Sequence, residues 1–173
     1  MKAIHCFVRR RFLGLACVVL GIQLSAAHAA SAKPWDFTLP TLEGDRFVQA
    51  SRLPGSVLIN FWGRDCPPCV AELPRLQAFA QDQRDWTLML VATDPPQDAR
   101  VFLQRRGITL PVLKAGPSVV ALMHRAGNRT GGLPFTVALR DGQICRVHEG
   151  ELSEAALAEL HAACGTERIG ATR

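Results

Sequence analysis

The chain has 173 residues, which is enough for one domain, and it shows no internal repeat or low-complexity run that would indicate another. Its formal net charge is +5, but four of its 20 basic residues and none of its 15 acidic residues lie in the first 29 positions. The remaining 16 basic residues nearly balance the 15 acidic ones. A net charge near +1 for this part gives no support to nucleic-acid binding, and we expect no nucleic-acid partner.

The first 29 residues have the pattern of a secretory signal peptide. Lys2 and the arginines at 9–11 precede an apolar stretch over 12–24, and Ala27–Ala29 is a small-x-small cleavage site. The apolar stretch is short for a membrane span, which needs about 20 residues. An uncleaved anchor remains the alternative, and the arginine run leaves both the Sec and Tat routes open. We therefore predict a signal peptide over 1–29, a mature domain over 30–173 and a periplasmic location.

The first half of the mature chain predicts a hairpin and then a strand–helix–strand unit. Periodicity and turn residues place the hairpin at 36–49, a buried strand at 57–62, a helix after residue 66 interrupted by Pro74, and a second buried strand at 87–92.

The second half predicts further alternating elements. They are a helix over 98–106 ended by Gly107, a short strand over 110–113, a short helix over 119–124, a hairpin of 135–139 and 143–148 around Asp141-Gly142, and a last helix capped by Ser153. In that helix Ala156, Leu157, Leu160, Ala163 and Cys164 share one face. This order predicts an α/β sandwich, with a mixed central sheet flanked by helices and an N-terminal hairpin extension.

A Cys66-Pro67-Pro68-Cys69 segment stands between the first buried strand and the helix that follows it. At a helix N-terminus, free N–H groups and the helix dipole favour an anion, so Cys66 is expected to form a reactive thiolate. Pro67 suits the first helical turn. Cys69 lies one turn further on the same face, close enough to bond with Cys66 and more buried.

Other uses of this cysteine pair fit the sequence less well. A zinc site needs a second ligand pair, and the only nearby candidates, Cys145 and His148, point to opposite faces of a strand. Covalent haem attachment needs His where Val70 stands. A permanent structural disulfide remains open beside a redox-active pair. We expect no cofactor and no metal.

Four segments together resemble the exported thioredoxin-like proteins of the TlpA/ResA/CcmG group. They are Asn60-Phe61-Trp62, the Cys-Pro-Pro-Cys segment, Glu72-Leu73-Pro74 and Gly132-Leu133-Pro134-Phe135-Thr136. The resemblance implies a thioredoxin-like sandwich in which Cys66 attacks the partner, Cys69 resolves the mixed disulfide and Pro134 is a cis-proline beside the pair. The residues then expected to contact a substrate are Trp62, Asp65, Pro67, Pro68 and Leu133, with the Leu133 backbone free to pair with an extended segment.

Glu72 is the expected acid–base group of the site. It follows Cys69 by three residues on the predicted helix, where partial burial would raise its pKa and let it exchange a proton with Cys69. Cytoplasmic thioredoxins place an acid on the preceding strand, where this chain has Asn60. A solvated helix glutamate is the alternative.

Asp65 departs from the group, which usually has Trp before the first cysteine. Its negative charge should raise the pKa of the Cys66 thiol and make the disulfide less oxidising. The loss of Trp also removes apolar surface on which partners dock. Alternatively, Asp65 faces water or pairs with a neighbouring base such as Arg64.

The two other cysteines of the mature chain are expected to have no catalytic role. Cys145 falls in the last predicted strand and Cys164 on the last helix. These elements pack together in such a fold, so a structural disulfide is geometrically possible, with two buried free thiols as the alternative.

These observations predict an exported protein disulfide oxidoreductase, and the resemblance favours reduction as its direction. Partners implied by the resemblance are apocytochrome c or copper-site proteins of oxidase assembly, with a membrane dithiol carrier as electron donor. We expect a monomer. Two other functions remain open: a copper-binding chaperone that uses Cys66 and Cys69 as ligands, and a thiol peroxidase, although the peroxidatic Pro-x-x-x-Thr-x-x-Cys pattern is missing.

Overall fold

The structure is a computed structural model and describes residues 35–165, so the predicted signal peptide lies outside the described residues. In chain order the elements are β1 (Thr38–Pro40), β2 (Phe47–Gln49), a 3₁₀ turn (Ala50–Arg52), β3 (Ser56–Trp62), α1 (Pro67–Asp82), β4 (Trp86–Ala92), α2 (Pro96–Arg105), β5 (Val112–Lys114), α3 (Val119–Ala126), β6 (Phe135–Arg140), β7 (Gln143–Glu149) and α4 (Glu154–Cys164).

A five-stranded mixed sheet forms the centre of the domain, in the order β5-β4-β3-β6-β7. Strand β3 pairs in parallel with β4 and antiparallel with β6, and all seven of its residues are buried. A strand covered on both faces has no need of polar alternation, which explains the nearly continuous apolar run in the sequence. The predicted α/β sandwich with a mixed sheet is confirmed.

Alternate residues of β3 enter two separate hydrophobic cores. Leu58 and Trp62 pack on the side that also contains apolar residues of α1, α2 and α4. Val57, Ile59 and Phe61 pack on the other side, which contains residues of α3 and the N-terminal segment. Because side chains alternate across a strand, β3 contributes to both layers at once and fixes the helices relative to the sheet.

The two predicted hairpins are confirmed. Strands β1 and β2 pair antiparallel as a separate two-stranded sheet before the central one. Strands β6 and β7 meet at Asp141 and Gly142, whose φ angles are 49° and 77°. Two successive positive φ angles make the turn whose twist matches the flanking strands, and Asp-Gly tolerates them better than most pairs.

Some details of the prediction were wrong. Strand β5 begins at Val112 rather than residue 110, although the Pro111 carbonyl still accepts a hydrogen bond from the Leu90 N–H. Ala163 is exposed and does not share the buried face of α4. Helix α1 continues through Pro74 as far as Asp82.

Between residues 35 and 165, no helix combines the length and apolar character that a bilayer crossing requires.

Candidate active site

The Cys66–Cys69 pair lies at the start of α1, directly beyond the end of β3. Cys66 is the N-cap residue, and the two sulfurs are joined in a disulfide with the Cα atoms 5.3 Å apart. Cys69 is fully buried and Cys66 is partly exposed, which confirms the predicted order of burial. Only the first sulfur is therefore positioned to meet a partner from outside.

The two prolines determine which backbone group reaches the Cys66 sulfur. A helix leaves its first N–H groups without intrahelical partners, but Pro67 and Pro68 have no N–H to offer. The first available donor is the N–H of Cys69, which points at Cys66 Sγ over 3.3 Å. A thiolate at Cys66 would thus receive one direct hydrogen bond from the helix as well as its dipole. Pro67 is exposed and Pro68 is half-buried, so both lie on the rim of the site.

The loop before β6 ends level with the last residue of β3, which is close to the cysteine pair in the chain. The Leu133–Pro134 peptide bond is cis, as expected, and Pro134 is buried with its carbonyl accepting from the Gly150 N–H at 2.9 Å. Register places Phe135 beside Phe61, so Pro134 lies level with Trp62 near the end of β3. Leu133, the residue before Pro134, is half-buried. Its side chain lies close to Gly63, so that a Cβ added to Gly63 would be 3.7 Å from Leu133 Cδ1.

Asn128 organises this loop, a role that the sequence prediction missed. Its buried side-chain carbonyl accepts from the N–H groups of Thr130 and Gly131 at 3.2 and 2.8 Å, and its amide donates to the Gly132 carbonyl at 2.8 Å. Gly131 has a φ of +71°, which suits glycine. No hydrogen bond to the Leu133 backbone is found within residues 35–165. An asparagine shortly before glycine is a recognisable turn signal, so this contact could have been anticipated.

Glu72 is more deeply buried than expected, with no exposed surface. Its Oε1 accepts from Asn60 Nδ2 at 2.7 Å and its Oε2 accepts from the Leu152 N–H at 2.6 Å. Burial raises the pKa of this carboxyl group above the ordinary glutamate value, although the hydrogen bonds from Leu152 and Asn60 oppose the rise. The expected burial is confirmed, and the alternative of a solvated helix glutamate is wrong. A buried acid one helical turn beyond Cys69 can hold a proton at a pH where an exposed one would lose it.

Asn60 and Thr136 complete the buried polar group around Glu72. They are register partners on β3 and β6, both fully buried, and Asn60 Nδ2 also donates to Thr136 Oγ1 at 2.9 Å. The position that carries an acid in cytoplasmic thioredoxins thus contacts the Glu72 carboxylate directly. Two carboxylates at this distance would repel each other, whereas an amide donates a hydrogen bond.

The charge of Asp65 is exposed and shared with a neighbouring base. Its side chain is 88% exposed and lies 3.6 Å from Arg64 Nε. Arg64 also approaches Asp94 and Asp98, at 3.7 and 3.2 Å, and its N–H donates to Asp94 at 2.8 Å. Solvent and the guanidinium both weaken the field that Asp65 exerts on the Cys66 sulfur.

Trp62 does not lie on the surface that a partner would touch. It is fully buried and packs its ring against Phe102, with the centroids 5.7 Å apart, while Arg106 stacks on the outer side of Phe102. The structure therefore gives no support to direct contact between Trp62 and a substrate, because its neighbours occupy its whole surface. Trp62 belongs to the same buried hydrophobic cluster as Cys69.

Cys145 on β7 and Cys164 at the end of α4 are brought together and joined, with Cα atoms 5.5 Å apart. Cys164 is fully buried, and its carbonyl accepts from Ser56 Oγ at 2.8 Å and from Arg140 at 3.2 Å. Among residues 35–165, no three His, Cys, Asp or Glu side chains converge as metal ligands.

A Cys-x-x-Cys disulfide at a helix N-terminus, a cis-proline directly before β6 and a mixed sheet between helices define a thioredoxin-like thiol–disulfide oxidoreductase. Residues 30–143 match the AhpC/TSA family model, and the chain belongs to this family. The relatives that reach 30% identity over more than two thirds of their length are thiol-disulfide oxidoreductases named ResA.

Known relatives carry the same class of name. The chain is 30% identical to the thiol-disulfide oxidoreductase ResA of Halalkalibacterium halodurans, over 72% of this chain and 71% of that protein. It is 32% identical to ResA of Geobacillus thermodenitrificans, over 76% and 75% of the two chains. The crystal structure of StoA from Bacillus subtilis superposes with a TM-score of 0.59, at 24% identity, over 75% of this chain and 98% of that one, and supports the fold.

Proposed function

We propose that the protein is an exported reductase of protein disulfides, with Cys66 as the nucleophile. The observation that supports this most strongly is the asymmetry of the pair. A partly exposed sulfur caps a helix, and a fully buried one lies a turn away. The signal-peptide pattern over 1–29 and the four remaining cysteines suit a mature domain over 30–173 in the periplasm.

The first step is attack by the Cys66 thiolate on a disulfide of the partner. A mixed disulfide forms, and the partner's other sulfur leaves as a thiolate that takes up a proton. The exposed rim residues Pro67 and Asp65 surround the attacking sulfur. The Leu133 backbone, held by the loop that Asn128 organises, would pair with an extended segment of the partner and align its disulfide.

In the second step, Cys69 attacks Cys66 Sγ and releases the reduced partner. Cys69 must lose its proton first, and it is buried where water cannot take it. Glu72 accepts this proton as a carboxylate and becomes a neutral acid, which its buried position favours. Two electrons pass from the dithiol to the partner, and the Cys66–Cys69 disulfide remains. A membrane dithiol carrier would then restore the dithiol.

The proposed substrates are the oxidised cysteine pairs of apocytochrome c or of copper-site proteins, and the proposed form is a monomer. Cys145–Cys164 serves stability in this proposal and takes no part in exchange. The direct test is a redox titration of the protein without residues 1–29. A midpoint well below about −200 mV supports reduction, whereas one near about −120 mV would mark an oxidant and contradict the direction.

Trapping identifies the partner. A Cys69→Ser variant cannot resolve the mixed disulfide, so it should retain a covalently bound partner in cells of a host that exports it. The Cys66→Ser variant is the matched control and should retain none. Capture by both variants, or by neither, would contradict the assignment of Cys66 as the attacking thiol.

A further inference from the structure

Three buried polar side chains meet between β3, β6 and α1, and one of their oxygen atoms has no hydrogen-bond partner within residues 35–165. Asn60 Nδ2 donates to both Glu72 Oε1 and Thr136 Oγ1, at 2.7 and 2.9 Å. Asn60 Oδ1 is buried, and no donor within residues 35–165 reaches it. A buried polar atom without a partner is uncommon and invites a functional explanation.

We propose that Asn60 and Thr136 are positioning residues for proton transfer, and that the Asn60 amide turns over when Glu72 gains a proton. This deepens the proposed function and rests on it, because the turn is needed only if Glu72 takes up and releases a proton during exchange. The amide and the hydroxyl would then satisfy both charge states of one buried acid.

The ionised state matches the arrangement in the structure. A carboxylate accepts hydrogen bonds only, and Glu72 receives them from the Asn60 amide at Oε1 and from the Leu152 N–H at Oε2. In this state Asn60 Oδ1 points away without a partner, and the Thr136 hydroxyl acts as acceptor.

The protonated state requires a donor and an acceptor to change places. The Leu152 N–H belongs to the main chain and cannot become an acceptor, so the proton belongs on Oε1, facing Asn60. With the amide as observed, that O–H would meet an NH₂ group. A half-turn brings Oδ1 into the same position, where it accepts from the Glu72 O–H and from the Thr136 hydroxyl, whose hydrogen can rotate. Nδ2 then becomes the atom without a partner.

Neither of the two similarly sized replacements for Asn60, aspartate or leucine, would provide hydrogen bonds to both charge states of Glu72. An aspartate at position 60 would place a second negative charge beside the ionised Glu72 and keep one of the two protonated. A leucine would leave both states without a partner at Oε1. An amide is neutral and carries a donor and an acceptor of similar size. It can therefore donate to Glu72 when the carboxyl group is ionised and accept from it when the group is protonated.

The charged and titratable groups around Glu72 come from several elements. Arg75 lies on the same helix, donates to the Leu152 carbonyl and pairs with Glu151 at 3.7 Å. His148 on β7 is the register partner of Thr136, and its Nε2 lies 3.1 Å from the Glu151 carbonyl. In the reduced protein the Cys66 and Cys69 thiols are added. The oxidised form therefore gives the simplest titration of Glu72.

The test follows the Asn60 amide by NMR in the oxidised wild-type protein while Glu72 is titrated. A scalar coupling through the hydrogen bond, from Asn60 Nδ2 to the Glu72 carboxyl carbon, should be present at high pH. It should disappear at low pH, with the midpoint given by the Glu72 carboxyl carbon shift. Asn128 is an internal control, because both ends of its amide are bonded and its coupling to Gly132 should not change.

Variants give the second readout. Asn60→Leu removes a hydrogen bond at Oε1 from both charge states; because the bond to the carboxylate is the stronger of the two, the Glu72 midpoint should rise by about one pH unit. Thr136→Val should slow transfer more than Thr136→Ser, which keeps the hydroxyl. A coupling that persists below the midpoint, or a midpoint unmoved in Asn60→Leu, would overturn the proposal.

The NMR titration uses no partner protein. A turning amide in a protein that reduces no disulfide would thus refute the proposed function, whereas normal reduction with a fixed amide would refute this inference alone.

Discussion

The two disulfides occupy opposite ends of helices, and we expect this difference to separate a reactive bond from an inert one. Cys66 caps the N-terminus of α1, where the helix dipole and the Cys69 N–H stabilise a thiolate. Cys164 is the last residue of α4, where the dipole opposes negative charge, and its carbonyl is held by Ser56 and Arg140. Placement on the helix, more than the presence of a disulfide, predicts which pair exchanges.

The most direct test of this comparison removes the attacking sulfur of the first pair and, separately, both sulfurs of the second. In Cys66→Ser, reduction of a protein disulfide by the prereduced enzyme should fall to the uncatalysed background, a loss of roughly 100-fold or more, because no other thiolate is poised for attack. The measurement is single-turnover exchange with a fluorescent disulfide substrate. Its matched control, the double variant Cys145→Ser/Cys164→Ser, should stay within about twofold of the wild type. Equal losses in both would show that the pairs do not differ as described.

The same double variant should reveal what the second disulfide contributes. Its cysteines are 19 positions apart, and a loop of this length is expected to contribute about 3 kcal/mol to the free energy of unfolding. Denaturant unfolding of the oxidised wild type and of Cys145→Ser/Cys164→Ser measures the difference. An unchanged midpoint would mean that the bond does not constrain the chain, and the structural role would be wrong.

Glu72 sharpens the comparison, because within residues 35–165 a buried acid follows the first pair on its helix and none accompanies the second. Since burial raises its pKa in the folded protein, Glu72 contributes stability that is fully present below the ordinary value of 4.5 and is lost as pH rises through the folded value. Wild-type stability should therefore fall relative to Glu72→Gln as the pH is raised above 4.5.

Unfolding curves at several pH values check this, and the pH profile of the resolving step should flatten in the same variant. Glu154→Gln at the exposed start of α4 is the control and should leave both profiles unchanged. A constant difference in stability between wild type and Glu72→Gln at all pH values would contradict a raised pKa.

The smallest effect is expected at Asp65. Because its carboxylate is exposed and shares Arg64 with two other acids, Asp65→Asn should lower the midpoint of Cys66 alkylation by less than about one pH unit. The shift should shrink further in high salt, since charges near the surface are screened. A larger shift that resists salt would show that Asp65 acts on the sulfur from a less solvated position than the structure gives.

Much of the fold followed from local patterns. The apolar run of β3, the Asp141-Gly142 turn and the Ser153 cap each depend on neighbouring residues, so a single sequence reveals them. The boundaries of the elements depend on tertiary pairing instead. Leu110 and Pro111 look like strand residues, yet the strand begins at Val112, because pairing with β4 and not local preference decides where it starts.

The contacts of the site were harder to foresee than its main residues. The cysteines and Pro134 belong to short motifs, but Glu72 depends on Leu152, which is 80 positions away, and on the register that sets Asn60 opposite Thr136. Sequence spacing carries no information on either. Trp62 was misplaced for the same reason, since its burial depends on Phe102 of α2.

The most direct measurement is the pH dependence of Cys66 alkylation in the reduced protein, followed by mass spectrometry with Cys145 and Cys164 kept in their disulfide. If the start of α1 stabilises the thiolate, the midpoint should lie clearly below about 8.5, the value for a free cysteine, and Cys66 should react well before the buried Cys69. A midpoint at or above that value, or faster alkylation of Cys69, would contradict the account.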